Sequence, residues 1–300
     1  MANPKVINSE QAIFLTDLYE AEAGNPHAQY DVANCFLTGN GTAQDYAQAF
    51  YWYKQAALQG HTAAQKCLGN MYGNGMIEGD EQNHAKALHW FALAAEGGDT
   101  KACFNLGVMY QIGHGIEKNY ELAFCWKLKS AERGYALAQL GVGLAYANGM
   151  GVECDHSKAF EWFIRAAEQN NAVAQYNVGL AYENGDGVEK NITEAAKWFK
   201  RAAVNGDYLA QVAIASMFAE GRGIRKDCDH AYIWFCVAAH SQELSVGKLA
   251  QFTQIKELLL AENRLMLDEW ITELEGVIRS RKHVGMFTKL TMKKAVGSNS

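Results

Sequence analysis

The sequence predicts an all-α fold, an α-solenoid built from stacked helix pairs. Three observations predict it. Six tryptophans, Trp52, Trp90, Trp126, Trp162, Trp198 and Trp234, stand at intervals of 38, 36, 36, 36 and 36 residues, and a fixed period of that size marks a repeat architecture. Two apolar patterns of helical period recur in each unit. Helix-capping residues and glycines fall in step between those patterns.

The first helix of each unit starts at a small residue: Ala28, Ala64, Ala102, Ala138, Ala174 and Ala210. Eight positions later comes an aromatic: Phe36, Tyr72, Tyr110, Tyr146, Tyr182 and Phe218. The interval reads as in Ala174-Gln175-Tyr176-Asn177-Val178-Gly179-Leu180-Ala181-Tyr182. Small or apolar residues at i, i+4, i+5 and i+8 share one helix face. The small residues let a second helix approach closely, and the aromatic fills the end of the contact.

The second helix begins after Asp45, Asn83, Asn119, Asp155, Asn191 and Asp227. All six are Asp or Asn, whose side chains accept from early backbone N–H groups. It runs through the Trp column and a small pair (Ala56-Ala57, Ala94-Ala95, Ser130-Ala131, Ala166-Ala167, Ala202-Ala203 and Ala238-Ala239) and stops near Gly60, Gly98, Gly134, Asn170 or Gly206. Gly and Asn tolerate the left-handed conformation that ends a helix. The Trp column is read as core, so Trp162→Ala is expected to cost about 3–5 kcal/mol. Between the helices lies a Gly-x-Gly turn: Gly39/Gly41, Gly113/Gly115, Gly149/Gly151, Gly185/Gly187 and Gly221/Gly223. The second unit carries Gly75-Met76-Ile77-Glu78-Gly79 instead, and its two extra residues account for the 38-residue interval.

These columns resemble the Sel1-like repeat, a branch of the tetratricopeptide superfamily. The pattern is matched almost literally at Ala138, Gly143, Tyr146, Gly149, Gly151, Val152, Asp155, Lys158, Ala159, Trp162, Ala166 and Ala167. The resemblance covers residues from about 9 to 240. It implies antiparallel helix pairs in a right-handed superhelix, and a protein-binding role without naming a partner.

The ends divide the chain further. Residues 1–24 are read as an N-terminal cap, half a repeat in which Ser9 takes the helix-cap column and Ala21 the small-residue column. Residues 25–240 hold the six repeats. Residues 241–283 are read as a helical C-terminal cap, with Leu258, Leu259, Leu265, Leu267, Trp270, Ile271, Leu274 and Ile278 as candidate buried positions. Residues 284–300 are read as a basic, flexible tail. Arg279, Arg281, Lys282, Lys289, Lys293 and Lys294 crowd the last 22 residues, so the net charge of −6 leaves the remaining chain strongly acidic. An acidic body without a recognisable motif argues against nucleic-acid binding, and no run of about twenty apolar residues offers a membrane span. The N-terminus lacks the apolar stretch of a secretory signal. Seven cysteines keep no paired spacing and are read as reduced, which points to the cytoplasm; an effector delivered without a cleavable signal is the alternative. Cys154-Asp155-His156 and Cys228-Asp229-His230 look metal-like but lie 74 residues apart, so no metal and no cofactor is expected.

Catalysis needs convergent titratable groups. The nine histidines are scattered, and the Ser-x-x-Lys element at Ser245–Lys248 has neither S-D-N nor K-T-G to accompany it. The expectation is a non-enzymatic, bacterial scaffold or adaptor that binds a protein or peptide in a groove lined by the first helices. A dedicated inhibitor, immunity or regulatory protein for one effector is the alternative, and a β-lactamase-like hydrolase the second. The candidate peptide-binding residues are Tyr30, Asn34, Lys66, Asn70, Lys101, Phe104, Asn105, Leu140 and Tyr176. Two readings of the apolar members stand: contacts for a ligand, or side chains buried against one another. Lys66, Asn70 and Asn105 resemble part of the set with which some tetratricopeptide domains hold a peptide's terminal carboxylate. Leu137 and Gly141 stand where that set has basic residues, and Lys101 lies near enough to supply one charge.

Overall fold

The computed structural model describes residues 8–76, 83–241, 246–258, 267 and 271–272. All regular structure among them is helical, in chain order α1 (Ser9–Glu22), α2 (Pro26–Thr38), α3 (Tyr46–Leu58), α4 (Thr62–Gly73), α5 (His84–Glu96), α6 (Thr100–Ile112), α7 (Tyr120–Glu132), α8 (Ala136–Asn148), α9 (His156–Glu168), α10 (Ala172–Asn184), α11 (Ile192–Val204), α12 (Tyr208–Glu220), α13 (Cys228–Ser241) and α14 (Val246–Leu258). The chain forms two compact units. One comprises Met1–Ala138 with Met150–Glu153, the other Gln139–Gly149 with Cys154–Ser300. Within each unit helices pack on their neighbours in sequence, α1 to α7 in the first and α9 to α14 in the second. This is the α-solenoid arrangement of helix pairs.

The local signals behave as their chemistry requires. Asp45, Asn83, Asn119, Asp155 and Asn191 each accept the backbone N–H three residues on, at 2.8–3.1 Å, and Asp227 does so from His230 at 3.0 Å. Gly60, Gly98, Gly134 and Gly206 close second helices with φ between 84° and 92°. Asn170, at φ 63°, does the same and is the one non-glycine residue with positive φ among those described.

The second glycine of each turn has a separate duty. A Cβ on Gly151 would lie 2.0 Å from the carbonyl oxygen of Tyr120, and one on Gly187 2.1 Å from that of His156. Each turn thus presses on the start of the preceding second helix, and only a residue without a side chain fits. Gly41 makes the same approach to Glu10 in α1, so α1 meets the turn after α2 as the second helices of full repeats meet theirs.

The tryptophans are not the core knobs. Trp234 is buried at 1% exposure, but Trp52, Trp90, Trp126, Trp162 and Trp198 are only half-buried. Basic side chains one turn on cover three of them: Lys129 over Trp126 at 4.1 Å, Arg165 over Trp162 at 4.4 Å and Arg201 over Trp198 at 4.5 Å. The buried aromatic is the next residue, at Tyr53, Phe91, Phe163, Phe199 and Phe235. Phe91, Phe163 and Phe199 press against Gly69, Gly143 and Gly179, where an added Cβ would lie 2.6 Å from the ring. The expectation for Trp162 therefore belongs to Phe163. A helical step of 100° separates the two positions, enough to turn the Trp toward the rim of the contact.

One repeat breaks the aromatic rule. Lys127 holds the knob position at 8% exposure, its Cγ 2.8 Å from a Cβ placed on Gly107. Its Nζ donates to Gln111 Oε1, and burial pulls its pKa below the usual lysine range. An ammonium in the core loses hydration that a single amide cannot replace. Lys127→Met keeps the length and removes the charge, so it is expected to raise unfolding stability by about 1 kcal/mol. Urea denaturation checks this, and a loss of stability would show that the bond to Gln111 dominates.

A further column was not read from the sequence. Gln29, Gln65, Gln139, Gln175 and Gln211, each one residue after a helix-start Ala, are buried. Gln29, Gln65, Gln175 and Gln211 donate to the carbonyls of Ala21, Ala57, Ala167 and Ala203 at 3.0–3.3 Å. Gln59, Gln169 and Asn205 then donate to Gln29, Gln139 and Gln175 at 2.7–2.8 Å. In the second repeat the corresponding donor position is Gly97, and Gln65 Oε1 has no hydrogen-bond partner. Gln211 Oε1 is likewise without a partner, and the donated bonds tie α2, α4, α10 and α12 each to the second helix before it.

At the C-terminal end, Leu267 and Ile271 are buried and join the core of the second unit with Ile255, Trp234 and Phe235. The Leu258 side chain, Leu259, Leu265, Trp270, Leu274, Ile278 and the basic tail lie outside the described residues, as do Ile77, Glu78 and Gly79 of the inserted turn. None of the seven cysteines is disulfide-bonded, with Cys103 buried and Cys125 and Cys154 exposed.

Candidate functional site

In the first unit, the face left free by the packing columns runs over α2, α4 and α6. Tyr30 and Phe104 stand two residues after Ala28 and Ala102, about 200° around the helix from those buried alanines. Both rings are half-buried. The Tyr30 ring packs against His61 at 4.8 Å and Tyr53 at 5.8 Å, and Phe104 meets Tyr135 edge-on at 5.4 Å. In α2 and α6 the half-buried aromatic is thus supported by rings from neighbouring elements.

Of the polar candidates of this unit, Asn70 and Asn105 bond to each other, while Lys66 and Asn34 bond to residues outside the candidate set. Lys66 Nζ donates to Asp99 Oδ2 at 3.3 Å. Asn105 Nδ2 donates to Asn70 Oδ1 at 3.3 Å, and Asn34 Oδ1 accepts the Tyr53 hydroxyl at 2.6 Å. Burial pushes the Tyr53 phenol above its usual range, so it remains a neutral donor. Lys101 is exposed. Lys66 and Asn70 are thus in place beside Asn105, but Asp99 already holds the lysine where a ligand carboxylate would sit. That aspartate also caps α6, accepting from Ala102 N at 2.8 Å, so it is fixed by the fold.

In the second unit the same register turns apolar. Leu140 and Tyr176 are half-buried, and Tyr176 lies 5.5 Å from the Phe199 ring. Val173 and Leu209, one position before the helix-start alanines of α10 and α12, are 46% and 53% exposed. Val173 lies three residues before Tyr176 and so flanks it on one face. Burial raises the Tyr176 phenol, followed by the charges of Asp207 and Glu183. Glu183 is ion-paired with Arg222, and burial holds the Asp207 carboxyl above its usual range.

Other residues singled out by chemistry are placed differently. Cys154 Sγ lies 3.8 Å from His156 Nε2, whereas His230 turns to Asp227 at 2.8 Å and stacks on Phe218. Among the described residues no group of three or more His, Cys, Asp or Glu is arranged to hold a metal ion. Lys248 Nζ donates to Ser216 Oγ at 2.7 Å. Ser216 is buried and gives its own proton to the Val212 carbonyl at 2.9 Å. Ser245 lies outside the described residues. No described helix is long and apolar enough to cross a membrane.

The Sel1 repeat family model matches residues 26–61, 63–99, 100–135, 136–171, 172–207 and 209–242. Among solved structures, a protective antigen of uropathogenic Escherichia coli strains with an SLR fold is 31% identical over 91% of this chain, with a TM-score of 0.78. The chain spans 60% of that protein's length. A Sel1 repeat protein from Oxalobacter formigenes is 29% identical over 82% of this chain and 71% of its own, with a TM-score of 0.70. No match was found among curated proteins.

Proposed function

The chain belongs to the Sel1 repeat family, and from that premise we propose that it is a non-catalytic scaffold that binds a peptide or protein segment on its first helices. The observation that carries this reading is the contrast along those helices. Their packing columns are sealed, while Tyr30, Phe104, Leu140 and Tyr176, at one repeating register, stay half-open beside exposed Val173 and Leu209. Open aromatic edges on rigid helices offer contact area at little cost in side-chain entropy. The polar register of the first unit, with Lys101 exposed and Lys66 held by Asp99, selects polar or acidic ligand groups. The apolar register of the second takes aliphatic or aromatic ones. On this reading Lys66, Asn70 and Asn105 set hydrogen-bond register and do not form a carboxylate grip, because Asp99 competes for the lysine. The protein then works in the cytoplasm of a bacterium.

The test starts from a partner recovered by affinity purification and mapped to a binding segment. Tyr176→Ala is expected to weaken that segment's affinity by roughly tenfold or more. Lys101→Ala should weaken it less, and less still in high salt. Glu161→Ala, on a second helix, serves as the control. Loss of binding in the control with both first-helix variants intact would move the surface to the second helices.

A further inference from the structure

We propose that His27 and His61 form an acid-sensitive clasp between the first two repeats. The clasp does not depend on the peptide-binding reading, because it concerns contacts within the chain.

Two hydrogen bonds set the protonation of both rings. His61 stands at the N-cap of α4, where its Nδ1 accepts the Ala64 N–H at 3.2 Å. An accepting Nδ1 carries no proton, so the proton of the neutral ring sits on Nε2. That Nε2 lies 3.2 Å from His27 Nδ1, with the rings nearly perpendicular at 4.9 Å. His61 therefore donates to His27, whose Nδ1 must also be bare. The two nitrogens that must stay bare are the two that acid would protonate. A proton on His61 Nδ1 removes the helix cap, and one on His27 Nδ1 sets two N–H groups against each other.

The neighbouring groups do not rescue the charged form. Burial, then the facing His27, hold His61 below the usual imidazole range; Asp31 opposes this and Lys66 adds to it. Asp31 lies on α2 with Asp17 of α1 beside it, and burial followed by the Asp17 charge raises the Asp31 carboxyl. Lys66 on α4 is paired with Asp99 at the start of α6. Burial raises the Tyr53 phenol and the Cys35 and Cys67 thiols, so these groups stay neutral.

The sign follows from linkage. An imidazole lowered in the closed state takes up protons more readily once the clasp opens. Its stabilisation is full above the free-imidazole value of about 6.5 and is lost as pH falls through it. Opening would part the start of α4 from α2 and release the Tyr30 ring from His61.

The experiment is amide exchange by mass spectrometry on the full chain between about pH 7.5 and pH 5.5, corrected for intrinsic rates and run in EDTA. His61→Asn keeps the cap, since Asn25 and Asn171 cap α2 and α10 at the matching position, and it removes the titration. His27→Ala changes an exposed side chain. In the wild type, opening of α2 and α4 relative to α10 and α12 is expected to rise about threefold or more on acidification; in His61→Asn that rise should vanish, and in His27→Ala it should shrink to the part that the α4 cap alone supplies. An equal rise in His61→Asn, or none in the wild type, overturns the clasp. So does a gain of protection with zinc alone that His27→Ala abolishes, which would make the pair a metal ligand set.

Discussion

Phe163→Ala is expected to destabilise the second unit by about 3–5 kcal/mol, the range for emptying a buried aromatic site. Phe163 is buried and presses against Gly143, whose missing side chain is what admits the ring. Alanine leaves a void bounded by α8 and α9 backbones that are held apart by their other contacts, so the void cannot collapse. Trp162→Ala removes a larger side chain but from the rim, where solvent fills the space and the loss is confined to one-sided packing and the Arg165 contact. The Trp change should cost less than the Phe change. Denaturant unfolding of the two variants decides the order. If Trp162→Ala proves the more damaging, the rim assignment is wrong. In a stacked array the damage spreads to nearest neighbours first, so exchange in α9 and α10 should loosen before α12 in Phe163→Ala.

Gly187→Ala is expected to cost about 3 kcal/mol or more, and Gly185→Ala about 1 kcal/mol, although both glycines sit in one turn. Their backbones are alike, with φ 74° at Gly187 and 89° at Gly185, so the left-handed penalty is shared. Their surroundings differ. A Cβ at Gly185 meets Lys190 at 3.4 Å, an ordinary contact, while one at Gly187 lands 2.1 Å from the His156 carbonyl oxygen. Relief requires the turn to lift from the start of α9, and that separates two repeats. Thermal unfolding of the pair checks this. Equal shifts would mean that the turn yields at no cost and that the inter-repeat contact is loose.

The protonation of the His27–His61 pair and the stacking of Phe163 show where sequence reading reached and where it stopped. The capping residues were legible, because a cap acts on its own first turn and its partner is always three residues away. Gly60 and Asn170 were legible for the same reason. The Trp column was legible as a period but not as a burial state. Trp162 and Phe163 are adjacent apolar residues, and which of them faces Gly143 depends on the rotation of α9 about its axis. The glutamine column at Gln29, Gln65, Gln139, Gln175 and Gln211 was visible as a repeat, yet a polar residue inside a helix reads as surface until its carbonyl partner is known.

For the proposed binding surface the division is similar. The positions of Tyr30, Phe104, Leu140 and Tyr176 follow from counting along each helix, so the sequence alone placed them off the buried face. That Lys66 is occupied by Asp99, 33 residues on, could not be counted. The sequence by itself determined the helices, their ends, the repeat and the family, since each rests on interactions spanning a few residues and repeated six times. The tertiary structure alone decided which aromatic enters the core, which glycine bears another helix, and which charge is already spent. Those outcomes depend on the rotation and approach of helices from different repeats, and the distances involved are set by packing the whole stack.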